Sequence, residues 1–113
     1  MESKMVVAAL SALAQESRLA IFRLLVQAGP AGLSAGRIAE SLAVPSSSLS
    51  FHLKELSRAD LLLSRQDGRF VIYSANFDAM NRLIAYMTEN CCGGEPCGTD
   101  DVAGGVCCEE ARA

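Results

Sequence analysis

Val44-Pro45-Ser46-Ser47-Ser48-Leu49-Ser50-Phe51-His52-Leu53-Lys54-Glu55-Leu56, with Leu61-Leu62-Leu63-Ser64-Arg65-Gln66-Asp67-Gly68-Arg69-Phe70-Val71-Ile72-Tyr73-Ser74 close behind, is the stretch that decides the fold. In its first half Leu49, Leu53 and Leu56 recur four and three residues apart, the spacing of a helix with one buried stripe. At about 100° per residue, Ser47, Ser50, Phe51, Lys54 and Arg58 face away from that stripe. In the second half the period changes. Residues 61–66 and 69–74 read as two strands joined through Asp67-Gly68, because glycine adopts positive φ without steric cost and Asp-Gly between apolar runs is a hairpin signal.

Working back towards the start, Pro45 breaks the chain before this helix. Ser34 is a suitable N-cap for a short preceding helix carrying Ile38 and Leu42. Gly29-Pro30-Ala31-Gly32 ends a helix that begins near Glu16-Ser17 and places Ile21, Leu24, Leu25 and Ala28 on one face. Residues 5–14 form a first helix with Val6, Leu10 and Leu13 at helical spacing. Beyond the hairpin, residues 77–90 predict a last helix with Phe77, Met80, Ile84 and Met87 on one side. Two short helices with a tight connection, then a hairpin, make a helix-turn-helix followed by a wing. The expected architecture is mainly α with a β-hairpin, in the order four helices, two strands, one helix.

Charge and cysteine divide the chain at about residue 90. Residues 1–90 carry a net charge of +1 and residues 91–113 a net charge of −4, which accounts for the overall −3. All five cysteines (Cys91, Cys92, Cys97, Cys107 and Cys108) lie in the second part. We therefore expect a DNA-binding and dimerisation domain over 1–90 and a cysteine-rich, acidic, loop-like tail over 91–113. No apolar run approaches the roughly 18 residues of a membrane span, and Met1-Glu2-Ser3-Lys4 lacks the layout of a signal peptide. A cytoplasmic location is expected, where thiols stay reduced, so the clustered cysteines fit a soft-ion site or a redox device better than a disulfide framework.

The outward face of the Ser-rich helix has the chemistry of a major-groove reader. Serine hydroxyls bond phosphates or base edges, and lysine and arginine neutralise phosphate. Ser47, Ser50, Phe51, Lys54 and Arg58 are the candidate contacts, with Ser46 and Ser48 beside them and Phe51 placed to meet a thymine methyl. Arg65 and Arg69 flank the hairpin turn, where a wing meets backbone or minor groove. The competing reading is that residues 46–48 cap the helix and the cations are ordinary solvated charges. His52, at the edge of the buried face, fits packing or hydrogen bonding better than a DNA contact. The apolar stripes on the first and last helices exceed what one small core needs, so a second copy of the chain is expected to cover them.

Leu13-Ala14-Gln15-Glu16-Ser17-Arg18-Leu19, Ser48-Leu49-Ser50-Phe51-His52-Leu53-Lys54-Glu55-Leu56 and Asp67-Gly68-Arg69-Phe70-Val71-Ile72-Tyr73 resemble the ArsR/SmtB family of metal-sensing repressors, over roughly residues 5–90. The resemblance implies a winged-helix homodimer built on the first and last helices. It also implies an operator with inverted-repeat character and an inducer that lowers DNA affinity. Two ligand patterns of the family are absent. Ser34 and Gly36 stand where a Cys-x-Cys would open the third helix, and no histidine lies between residues 77 and 90. Asn90-Cys91-Cys92-Gly93-Gly94-Glu95-Pro96-Cys97 is similar to a smaller arsenic-responsive group. That likeness implies Cys91, Cys92 and Cys97 as ligands to As(III) or Sb(III), ions that favour three sulfurs, with Cys107 and Cys108 auxiliary or inert. Cadmium, lead, copper(I) and zinc remain alternative ions, and redox sensing an alternative use of the thiols. An enzyme would need a nucleophile and a base. The single histidine lies mid-chain on the Ser-rich helix, so no enzymatic activity is expected. The remaining competitor is a thiol-rich metal-binding protein, which would need neither the Ser-rich helix nor the wing.

Overall fold

The computed structural model of the chain describes residues 2–89. The five cysteines, and the expected domain boundary at 90/91, lie outside the described residues. The chain divides into two units, one ending at Leu83 and the other beginning at Ile84.

The elements are α1 (Ser3–Leu13), α2 (Glu16–Ala28), a 3-10 turn (Gly29–Ala31), β1 (Leu33–Ser34), α3 (Ala35–Leu42), α4 (Ser46–Arg58), β2 (Leu62–Asp67), β3 (Phe70–Ala75) and α5 (Phe77–Met87). This is the winged helix-turn-helix order with one added strand. The sheet is antiparallel in the order β1-β3-β2. β1 is the element that periodicity misses, because two residues carry no period. It pairs Leu33 with Tyr73 and Ser34 with Ile72, which fastens the inner strand of the wing to the start of α3.

The core of the first unit is where α2, α3, α4 and the residue leading into β2 converge. Ile21 and Leu25 of α2, Ile38 of α3, Leu56 of α4 and Leu61 are fully enclosed, with Leu49 and Leu53 beside them. The leucine stripe of α4 is therefore the buried face its spacing predicts. On α1 only part of the apolar spacing faces the core. The buried face is Val6, Ala9 and Ala12, whereas Leu10 is exposed and Leu13 half-buried. Ala9 centres that face, and Leu10 lies about 100° round the helix from it. On α2, Phe22 joins Ile21 and Leu25 inside, while Leu24 and Ala28 are half-buried. On α5 the residues buried are Ala79 and Leu83. In the second unit Ile84 and Met87 are exposed, and the Thr88 hydroxyl donates to the Ile84 carbonyl at 2.8 Å.

Turn chemistry sets the boundaries. The Ser34 hydroxyl accepts from the Arg37 amide at 3.3 Å, the N-cap expected of it. Gln15 caps α2 through its side-chain carbonyl, which accepts from the Arg18 amide at 2.9 Å. Asn76 begins α5 by accepting from the Ala79 amide, and its own amide group donates to the Asp60 carbonyl at 2.9 Å. Each wing strand lies one residue later than the sequence reading. Asp67 pairs with Phe70, so the loop is Gly68-Arg69 rather than Asp67-Gly68. Gly68, with φ of 63°, takes the first loop position, the Gly-first order that two-residue hairpins accept.

Candidate nucleic-acid interface

α4 packs on α1, α2, α3 and β2, and its opposite face is open. Ser46, Ser47, Ser48, Ser50, Phe51, Lys54 and Arg58 are all exposed, as the projection from the leucine stripe requires. Pro45 holds the N-cap position in extended backbone and supplies no side-chain cap, so the first-turn amides of this 13-residue helix lie beside the serine hydroxyls. This arrangement places donors at an N-terminus, where a phosphate is favoured by both hydrogen bonding and the helix dipole. Arg58 pairs with Glu55 at 3.2 Å, one turn back on the same helix. Lys54 is the exposed cation in the middle of the face.

Phe51 and His52 are tied to another part of the chain. Arg18 of α2 donates from Nε to Nδ1 of His52 at 3.3 Å, and its guanidinium lies 5.5 Å from the centroid of the Phe51 ring. The Phe51 and His52 rings meet edge to face at 5.9 Å. His52 is half-buried and hydrogen-bonded, as the packing reading of it expects. Phe51 is 54% exposed, so one face is covered by a cation while the rest remains open. Arg18 is the residue that sequence reasoning misses. It lies 34 positions from His52, and no local pattern connects them.

The two wing arginines separate in role. Arg69 sits in the exposed hairpin loop. Arg65 is not at the tip: it pairs with Ile72 in mid-strand, and its guanidinium donates to the carbonyls of Ala31 at 2.8 Å and Pro30 at 3.4 Å. It therefore fastens the outer strand of the wing to the 3-10 turn. Phe70, Val71 and Leu63 are exposed on the wing. Among the described residues no group of three or more His, Cys, Asp or Glu is placed to hold a metal ion, and no single helix is long and apolar enough to cross a membrane.

Residues 13–65 match a helix-turn-helix domain, which spans α2 to β2. An ArsR-like transcriptional regulator from Rhodococcus sp. RHA1 superposes with a TM-score of 0.67 at 29% identity, covering 77% of this chain and 78% of that one. The chain belongs to the ArsR family. The ArsR-type fold recurs in the homodimeric winged helix-turn-helix DNA-binding domain of Mb0332 from Mycobacterium bovis, described as a possible ArsR-family transcriptional regulator. There the TM-score is 0.63 at 27% identity, over 75% of this chain and 76% of that one. The nodulation protein NolR of Rhizobium meliloti is 30% identical over 80 residues, which is 71% of this chain and 63% of NolR. The chain thus matches less than two thirds of the length of that relative. The matched part is a helix-turn-helix domain in a winged-helix fold like that of the ArsR-like regulator.

Proposed function

We propose that this regulator is a repressor that binds operator DNA as a homodimer and is released by trivalent arsenic or antimony held on C-terminal thiolates. The observation that carries the DNA half is the open face of α4, where Ser47, Ser50, Phe51, Lys54 and Arg58 stand exposed opposite a fully buried leucine stripe. Arg69 at the wing tip supplies a second point of contact, to phosphate or to the minor groove. Arg65 contributes by holding the wing in place, through its bonds to Ala31 and Pro30.

Two observations support the dimer. Val7 and Leu10 on α1, and separately Ile84 and Met87 near the end of α5, are large apolar side chains left in solvent. A structural relative at 27% identity is a homodimer. A two-fold dimer presents two copies of α4 to half-sites about one helical turn apart.

The inducer half rests on the donor set. Cys91, Cys92 and Cys97 offer three soft thiolates, with Cys107 and Cys108 nearby in sequence. Soft thiolates select soft acceptors, and the family resemblance points to As(III) or Sb(III). Ligand binding close after α5 would bias the dimer against its DNA-bound geometry, a coupling of about 1–3 kcal/mol in comparable systems.

Fluorescence anisotropy of a labelled duplex from upstream of the protein's own coding sequence tests both halves. Reduced protein is expected to bind, and arsenite to release the duplex where zinc and peroxide do not. A C91S/C92S variant is expected to bind DNA and ignore arsenite. No binding at low salt would leave a thiol-rich metal-binding protein as the better account, and release by peroxide alone would make the cysteines a redox sensor.

A further inference from the structure

We propose that Arg18 is a positioning residue for base recognition, fixing one tautomer of His52 and holding Phe51 in a single orientation on the open face of α4. This rests on the DNA-binding reading above and names a residue outside the α4 face that the reading depends on.

Arg18 is itself held from both ends. Its amide donates to the Gln15 cap, which fixes the first turn of α2, and its side chain is partly buried against α4. A guanidinium carries its donors in a rigid plane and stays charged. The same group can therefore donate from Nε to His52 and lie over Phe51 at once, which a lysine ammonium cannot do with the same geometry. Because Nδ1 of His52 accepts, the proton of the neutral imidazole sits on Nε2. The edge contact between the two rings closes the cluster, so the position of Phe51 is set from two sides. An exposed phenylalanine would otherwise sample several rotamers, and binding DNA would have to select one of them. Arg18 also lines a shallow cavity with Glu55 and Arg58. There the Glu55 carboxylate is paired with Arg58. The guanidinium is engaged by its two aromatic partners, the His52 ring nitrogen and the Phe51 face.

The chain has one histidine, so the nitrogen spectrum of an isotopically labelled sample reports His52 alone. At a pH where the imidazole is neutral, the wild type is expected to show the Nε2–H tautomer, and Arg18→Met a mixture of both. For the DNA arm, duplexes enriched by the wild type from a randomised library are compared with scrambled duplexes. R18M is expected to lose about fivefold on the enriched duplexes, the size of the ordering cost of one freed side chain. It should lose nothing on scrambled DNA, keep the wild-type salt dependence, and have no further effect in a Phe51→Leu background. Should R18M fail to fold, Arg18→Lys, which keeps the charge but not the planar donor, carries the test and must mix the tautomers and lower selectivity at unchanged salt slope. The proposal is overturned if R18M leaves the imidazole tautomer unchanged. It is also overturned if R18M lowers the salt slope by about 0.9 and Arg18→Lys restores full affinity, the behaviour of a phosphate contact. A wild type that enriches no sequence overturns the DNA-binding reading itself and the recognition role with it, while the spectrum separately decides the tautomer lock.

Discussion

Gly29 and Gly32 both hold φ near +70° with extended ψ, a region that only glycine occupies without strain. Their surroundings differ. A Cβ on Gly29 would meet open space, whereas one on Gly32 would run into the Tyr73 carbonyl oxygen of β3. Gly29→Ala should therefore cost about 2 kcal/mol of backbone strain. Gly32→Ala should cost about 4 kcal/mol, because the paired strand cannot give way. Gly36, inside α3 with nothing near it, offers the opposite case, and G36A should stabilise by about 0.5 kcal/mol. Urea denaturation of the three variants checks the ranking. Single-residue facts of this kind were only partly legible in the sequence. Glycine and proline marked where α2 ends, and Ser34 declared itself as a cap. That one glycine is indispensable depends on which strand lies beside it, and the Arg18–His52 bond depends on a fold that brings together residues 34 apart.

At the scale of elements, periodicity carried the helices and the wing. Leu49, Leu53 and Leu56 sit inside as their spacing requires, and the exposed serines and cations of α4 follow from the same geometry. On the first helix the spacing of Val6, Leu10 and Leu13 does not by itself mark the core face, because alanine registers weakly as an apolar residue. Its buried face runs through Ala9 and Ala12, and the conspicuous Leu10 points outward. The wing slipped by one residue because Asp-Gly and Gly-Arg are both acceptable two-residue loops, and only the strand register decides between them. That register also separates the two wing arginines. Arg69→Ala should reduce the slope of log affinity against log salt by about 0.9, as loss of one phosphate contact does. Arg65→Ala should leave that slope nearly unchanged and instead loosen the wing, since its guanidinium is spent on the Ala31 and Pro30 carbonyls. Titrations at several salt concentrations distinguish the two. Asn76→Ala should cost about 1 kcal/mol, because it removes the cap of α5 and the bond to the Asp60 carbonyl together. A thermal melt measures it.

For the whole molecule, the proposed dimer makes Leu10 more than a misplaced core residue. Leu10→Glu should leave the fold intact, because the side chain is already in solvent, and shift the protein to monomer in sedimentation velocity. Operator affinity should fall with it, since a monomer engages one half-site. The candidate DNA face was legible because it lies within one helix. The proposed inducer site is legible only as a composition, five thiols in the last 23 residues, and those residues lie outside the described part of the chain. One further consequence comes from the short strand at Leu33–Ser34. Ser34 is paired to Ile72 in the sheet and at the same time caps α3. Neither the hairpin nor the third helix can therefore come loose alone. In hydrogen exchange, the central-strand amides and the Arg37 amide held by the Ser34 cap should share a single opening free energy, behaving as one cooperative unit that melts together.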